Sequence, residues 1–272
     1  MGLIFDKKIG RIYDEWYHSS EGRAINSSIE KFILSMIRPL PGERVLDVGC
    51  GSGNQLLMLK RLGLDISGID ASESMIERAR ERLGHQCTLT TGIAENLPFD
   101  DNEFDLVVLI NTLEFLDHPL ESLREAGRVA SKKVFIGVIN SLSWNGLVKK
   151  IQGYLGDPLF RKARFYNLWQ LKSLLQAAYG DVPISWACSR IAPSFIRDDR
   201  RSLDKGQDTE NQTPFGSFLG ISATMIYRVK TDDLHLKIGV KNKKQSLVQV
   251  RTTFGDLQRN RGVDTNERGL PV

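Results

Sequence analysis

Two periods of hydrophobic and polar positions alternate along the middle of this chain. Apolar runs near residues 44–48, 65–69, 86–90, 104–110 and 133–139 predict strands, several of them apolar on both faces and therefore buried. Between them, residues 54–62, 72–83 and 119–130 carry apolar side chains three and four apart, which predicts helices. In the second of these, Ser72 stands as N-cap before a stripe of Met75, Ile76, Ala79 and Leu83. In the third, Pro119 occupies the first turn behind His118. Such alternation predicts an α/β fold, a doubly wound and mostly parallel sheet with helices on both faces.

The flanks differ. Residues 1–40 read as helical, with Ile25, Ile29, Phe32, Ile33 and Met36 in one stripe before Pro39-Leu40-Pro41-Gly42 breaks the pattern. After Asn140 the alternation stops. Residues 141–166 mix Trp144, Tyr154, Phe160, Phe165 and Tyr166 with Lys149, Lys150, Arg161, Lys162 and Arg164. An insertion after the fifth strand falls at the strand C-termini, where α/β folds bind ligands, and reads as a cap over an acceptor. Its aromatics suit an apolar or aromatic acceptor, its cations a carboxylate or phosphate; a structural insertion with solvated charges is the alternative. Asn167 and Gln170 have capping-box spacing. Residues 184–189 and 222–229 read as last strands, and 197–214 as a loop. The organisation expected is 1–40, a central domain at 41–230, and a polar, basic tail at 231–272, disordered by default.

The chemistry concentrates in Val45-Leu46-Asp47-Val48-Gly49-Cys50-Gly51-Ser52-Gly53, a strand running into three alternating glycines ahead of a helix. Glycines let backbone turn sharply and let a ligand lie against bare main chain, with free helix N–H groups facing an anion. A dinucleotide fingerprint needs its third glycine at position 54, where Asn54 stands, and Asp47 would repel a pyrophosphate. A ligand bringing a positive group and a carboxylate, such as S-adenosylmethionine (SAM), suits these residues better; an ordinary strand-turn-helix is the alternative. Asp70 ends the second strand about 20 residues past the loop, the distance at which an acid meets ribose hydroxyls. Its other reading is a helix cap, a role Ser72 fills better.

Four blocks, 45–53, 68–80, 92–99 and 104–116, give residues 45–140 a resemblance to class I SAM-dependent methyltransferases. The resemblance is to the broad small-molecule group that includes quinone-biosynthesis methyltransferases. It implies a Rossmann-like sheet with an antiparallel last strand, SAM as cofactor, and a small-molecule acceptor. It further implies Gly49, Gly51 and Gly53 as the cofactor loop, Asp47 near the ammonium and Asp70 on the ribose. Ala94 would border the adenine through its main chain. Ile93 replaces the acid the family often places there, leaving Glu95 either a contact or a solvated loop residue. Asn111, after the fourth strand, would face the cofactor. Residues 12–17 with Gly22-Arg23 resemble the family's N-terminal lid, in which Tyr13, then Trp16, would cover the sulfonium by cation–π attraction or simply pack the lid. The family's Leu-Glu-His is Leu113-Glu114-Phe115 here, so that histidine is lost.

In-line methyl transfer mainly requires alignment and exclusion of water, which fits the lack of a compact catalytic triad in the sequence. Tyr13, His18, Glu114, His118 and Tyr166 are the candidate bases, with cap or surface roles as the alternative for His118. Cys50, Cys87 and Cys188 lack metal-ligand spacing and fit a reducing cytoplasm; no metal is expected. No apolar run approaches a membrane span, and the first residues carry neither a signal-peptide core nor a myristoylation pattern. A net charge of +4 over 272 residues does not call for a nucleic-acid partner. The readings kept beside a small-molecule methyltransferase are a macromolecule (RNA or protein) methyltransferase using the basic tail, a non-catalytic SAM-binding protein, and an NAD-binding protein.

Overall fold

The computed structural model describes residues 7–85, 87–143, 163–189 and 213–225, without the side chains of residues 7–9, 12, 13 and 21. Helices α1 (Lys7–His18) and α2 (Ser20–Ile37) precede β1 (Arg44–Val48), α3 (Asn54–Lys60), β2 (Asp65–Asp70), α4 (Glu73–Leu83) and β3 (Thr88–Thr91). Then follow β4 (Phe104–Ile110), a 3-10 turn (Leu113–Phe115), α5 (Pro119–Val129), β5 (Ala130–Ile139), α6 (Leu168–Tyr179), β6 (Ile184–Ser189) and β7 (Phe218–Thr224). The strands form one sheet in the order β3-β2-β1-β4-β5-β7-β6. Strands β1 to β5 are parallel, while β7 runs antiparallel to both neighbours, pairing Gly137 with Gly220 on one side and Trp186 with Ile221 on the other. The expected α/β sheet with an antiparallel last strand is therefore present.

Alternate side chains of each strand serve opposite faces. Val107 and Leu109 of β4 join Val134, Ile136 and Val138 of β5, Leu123 and Ala126 of α5, and Leu171 and Leu175 of α6. Leu106, Val108 and Ile110 of β4 join Phe135, Leu56 and Leu59 of α3, Ile76 of α4, and Phe32, Ile33 and Ile37 of α2. Both faces are covered, which is why β4 is a continuous apolar run. Helix α2 is thus a layer of the core.

Local signals set the helix ends. Ser72 Oγ accepts from the Met75 N–H, and Asn167 and Gln170 exchange side-chain-to-backbone bonds in a capping box before α6. Pro119 sits in the first turn of α5, with His118 at the N-cap making no side-chain cap bond.

The last strand lies earlier than expected, at Phe218–Thr224 rather than 222–229, and pairs antiparallel with β6 at one end of the sheet. Gly220 interrupts the apolar pattern there because the rings of Phe32 and Phe135 fill the space a Cβ would need, at 2.8 and 3.1 Å. The third strand starts at Thr88 rather than 86, and the fifth at Ala130 rather than 133. Most of the expected cap (144–162), most of the 197–214 loop and the whole 231–272 tail lie outside the described residues. Among the described residues no helix is long and apolar enough to cross a membrane.

Candidate cofactor site at the carboxyl edge of the sheet

Because β1 to β5 are parallel, the residues that follow them collect along one edge. Gly49–Gly53 follow β1, Asp70 ends β2, Gly92–Glu95 follow β3, and Asn111 follows β4. Gly49, Gly51, Gly53, Asp70, Ala94, Glu95 and Asn111 thus share this edge.

The three loop glycines have positive φ, at 75°, 52° and 80° for Gly49, Gly51 and Gly53, but their surroundings differ. A Cβ on Gly49 would lie 2.3 Å from Thr112 Cγ2, so Gly49 is required by packing against the end of β4. A Cβ on Gly53 would lie 2.9 Å from Leu83 Cδ1, where α4 supports the loop. A Cβ on Gly51 would meet nothing within 4 Å. Gly51 is therefore the open position, bare main chain facing free space beside the N-terminus of α3.

Asp47 is 1% exposed near the carboxyl end of β1, and its Oδ2 has no hydrogen-bond partner. Burial first, and the neighbouring Asp70 charge second, push its carboxyl up to about 8. A buried acid in this state is poised to receive a positive group, whose charge would stabilise the ionised form. Asp70 is used differently. Its Oδ2 accepts from the Gly51 N–H at 2.9 Å and its Oδ1 from the Ser72 N–H at 2.8 Å. Burial raises its pKa, and the two backbone bonds pull the other way. Asp70 thus ties the glycine loop to the start of α4, and each carboxylate oxygen keeps lone-pair capacity for a ribose hydroxyl.

Asn111 adopts a left-handed backbone (φ 53°), donates its N–H to Gly137 O at 2.8 Å, and leaves its buried Oδ1 without a partner. Ala94 is buried and Glu95 half-buried, while Ile93 beside them is 43% exposed. Tyr13 lies on α1, its side chain outside the described residues; Trp16 is 40% exposed.

The candidate bases are dispersed. Glu114 is 1% exposed, with Oε1 accepting from the Ile139 N–H at 2.8 Å, an arrangement that braces β5 against the 3-10 turn. His118 is exposed, and its carbonyl accepts from Ser122. His18 is exposed, with Nδ1 2.7 Å from Asp14 O. Tyr166 is buried beside Asn140, its hydroxyl without a hydrogen-bond partner, and burial raises its pKa.

Sequence reasoning missed a cluster on the loop's other side. Asp14 of α1 accepts at Oδ1 from Ser52 Oγ at 2.7 Å and at Oδ2 from Arg78 Nη1 at 2.6 Å. Arg82 Nη1 donates to Ser52 O at 2.8 Å, to Ser52 Oγ at 3.0 Å, and to Asn54 Oδ1. Burial opposes the Asp14 charge, but hydrogen bonds from Ser52 and Arg78 and the charges of Arg82 and Arg78 outweigh it, holding the carboxyl below its usual range. The available signal was Arg78 and Arg82 one helical turn apart on α4.

An unpartnered acid, an open glycine at a helix N-terminus and a second acid 19 residues beyond that glycine fit a ligand with an ammonium, a carboxylate and a ribose. Comparison with known proteins points the same way. Residues 46–136 match the family described as "Methyltransferase domain". An uncharacterized protein of Methanocaldococcus jannaschii is 34% identical over 166 residues, 60% of this chain and 71% of that protein. The demethylmenaquinone methyltransferase of Thermotoga maritima is 32% identical over 117 residues, 42% of this chain and 51% of that enzyme. The chain likewise spans about half the length of several other curated methyltransferases. Among solved structures, a SAM-dependent methyltransferase of Thermotoga maritima, described as a possible histamine N-methyltransferase, superposes with a TM-score of 0.65. It is 24% identical, over 80% of this chain and 97% of that one, and speaks for the fold.

Proposed function

The chain belongs to the class I SAM-dependent methyltransferases, and we propose that it moves the SAM methyl group to an O, N or C atom of a small-molecule acceptor. The observation that carries the SAM reading is the pairing of Asp47 with Gly51. A buried carboxyl group whose Oδ2 has no hydrogen-bond partner lies near the end of β1, and bare backbone at Gly51 follows ahead of α3. Opposite charges on the amino-acid end of the ligand would meet opposite polarities of the site.

In this reading Asp47 draws the ammonium, and the carboxylate lies against the bare main chain at Gly51, facing the N–H groups at the α3 N-terminus. Asp70 takes the ribose hydroxyls; Ile93, Ala94 and Glu95 border the adenine. Asn111 closes the site from β4, and Tyr13 from the N-terminal lid. Bound SAM would supply a methyl on a sulfonium for transfer to an electron pair of the acceptor, with S-adenosylhomocysteine (SAH) as leaving group and the acceptor's proton passing to solvent. The chain's part is to hold acceptor and cofactor in line and to exclude water. The small-molecule class draws support from the aromatic content of residues 141–166 and from the quinone-modifying relatives.

Two measurements test this. Calorimetric titration with SAM, SAH and NAD should give binding of the first two alone; NAD binding in their place would overturn the assignment. Incubation with methyl-labelled SAM and fractionated small metabolites should label a low-molecular-weight product. Label appearing only in RNA or protein would move the acceptor to the macromolecular class.

A further inference from the structure

The glycine loop has little stiffness of its own. Gly49, Gly51 and Gly53 all sit at positive φ, and Gly53, the N-cap of α3, offers no side-chain cap. Its order must come from groups outside it. One is Asp70, through the Gly51 N–H. Another is Ile69, whose carbonyl accepts from the Gly49 and Cys50 N–H groups. A third set holds Ser52, 1% exposed between two of the glycines: its hydroxyl donates to Asp14 and its carbonyl accepts from Arg82. Asp14 comes from α1, Arg78 and Arg82 from α4, so two helices and the loop meet at one carboxylate.

We propose that Asp14 is a positioning residue for the cofactor: it fixes Ser52 against α4, holds the glycine loop in its binding geometry, and couples the docking of α1 to cofactor occupancy. This rests on the reading of the loop as the SAM site. A ligand that needs the loop ordered binds more tightly when the ordering is already done, and by linkage the bound ligand holds α1 in place. The strength of the latch suits such coupling. A cavity of about 590 Å³, lined by Asp14, Ser74, Glu77, Arg78, Glu81 and Arg82, opens beside it. Water can therefore solvate Asp14 and both arginines when α1 moves away, and release strands no buried charge.

The test uses the full chain with SAH as probe. Asp14→Ala should weaken SAH binding about tenfold by calorimetry, the scale of one charged hydrogen bond. Ser52→Ala should do the same, and the double variant no worse than either single one, since both remove one link. Arg11→Ala, on the exposed side of α1, should bind as the parent does. SAH should slow tryptic cleavage within α1 of the parent and leave Asp14→Ala unprotected, a readout that a purely structural role would not move. If Asp14→Ala does not fold, Asp14→Asn, which keeps an acceptor for Ser52 but loses the charge, carries the test with a smaller loss. Parental affinity and parental protection in the Asp14 variants overturn the inference while leaving the SAM site intact. A parent chain that binds no SAH overturns the reading of the loop itself.

Discussion

Gly51 donates its backbone N–H to Asp70 Oδ2 at 2.9 Å, so the turn after β1 and the last residue of β2 share one carboxylate. The acid assigned to the ribose therefore also shapes the loop assigned to the amino-acid end. Asp70→Ala should weaken SAH binding by about 1–3 kcal/mol, the scale for losing a charged acceptor. It should also lower the melting temperature, because the Ser72 N–H at the start of α4 loses its partner. Calorimetry and thermal melts check both; unchanged affinity would count against the ribose assignment.

Asp47 makes binding pH-dependent. Its carboxyl is pushed up to about 8 by burial and by Asp70, so near pH 6–7 it holds a proton that an arriving ammonium should expel. SAM titrated at pH 6.5 in buffers of different ionisation enthalpy should release close to one proton, and Asp47→Asn should release none. The raised value also fixes the sign for the unliganded fold. Stability from this group is full below the unfolded value near 3.8 and is lost as pH rises through about 8. Asp47→Asn should flatten that decline and raise the melting temperature at pH 8.5.

Two glycines two residues apart should fail in different ways. Gly49→Ala drives a methyl into Thr112 and should destabilise the fold by about 1–3 kcal/mol. Gly51→Val projects into open space, so its main cost should be lost SAH binding, with a smaller loss of stability from the positive φ. Denaturant melts and ligand titration separate the two; normal SAH affinity in Gly51→Val would remove the loop from the contact surface.

Arg128 holds the loop beyond β3. Its guanidinium donates to Leu97 O, Phe99 O, Asp101 Oδ1 and both carboxylate oxygens of Glu125, and Glu125 Oε2 also accepts from the Leu97 N–H. Arg128→Ala should cost about 1–3 kcal/mol of stability and speed amide exchange across residues 97–103, measurable by hydrogen exchange. Arg128→Lys, without the planar fork, should restore only part of the protection.

The features legible in the sequence are those carried by neighbours along the chain. Val45–Gly53 announces a strand, a turn and a helix by local residue type, and Ser72, Asn167 and Pro119 mark helix starts by capping chemistry that acts over a few residues. The Asp14–Ser52 and Asp14–Arg78 bonds join residues 38 and 64 positions apart, and no periodicity encodes them. Glu114 shows a second limit. Its place after the fourth strand suggested a base, yet the side chain accepts the Ile139 N–H, a role that depends on where β5 ends. The start of β7 was hidden for a third reason: Gly220 carries no hydrophobic signal, because what belongs there is the absence of a side chain between two aromatic rings.

The placement of β7 between β5 and β6 has a consequence for the order of assembly. After β1, every strand but β6 has a neighbour that precedes it in the chain; β6 has none until residues 218–224 emerge and slot in antiparallel beside β5. Until then β5 presents an open apolar border, the kind of edge that recruits other chains. A nascent or proteolysed product ending short of Phe218 would expose that border, so integrity of this late segment guards the protein against self-association.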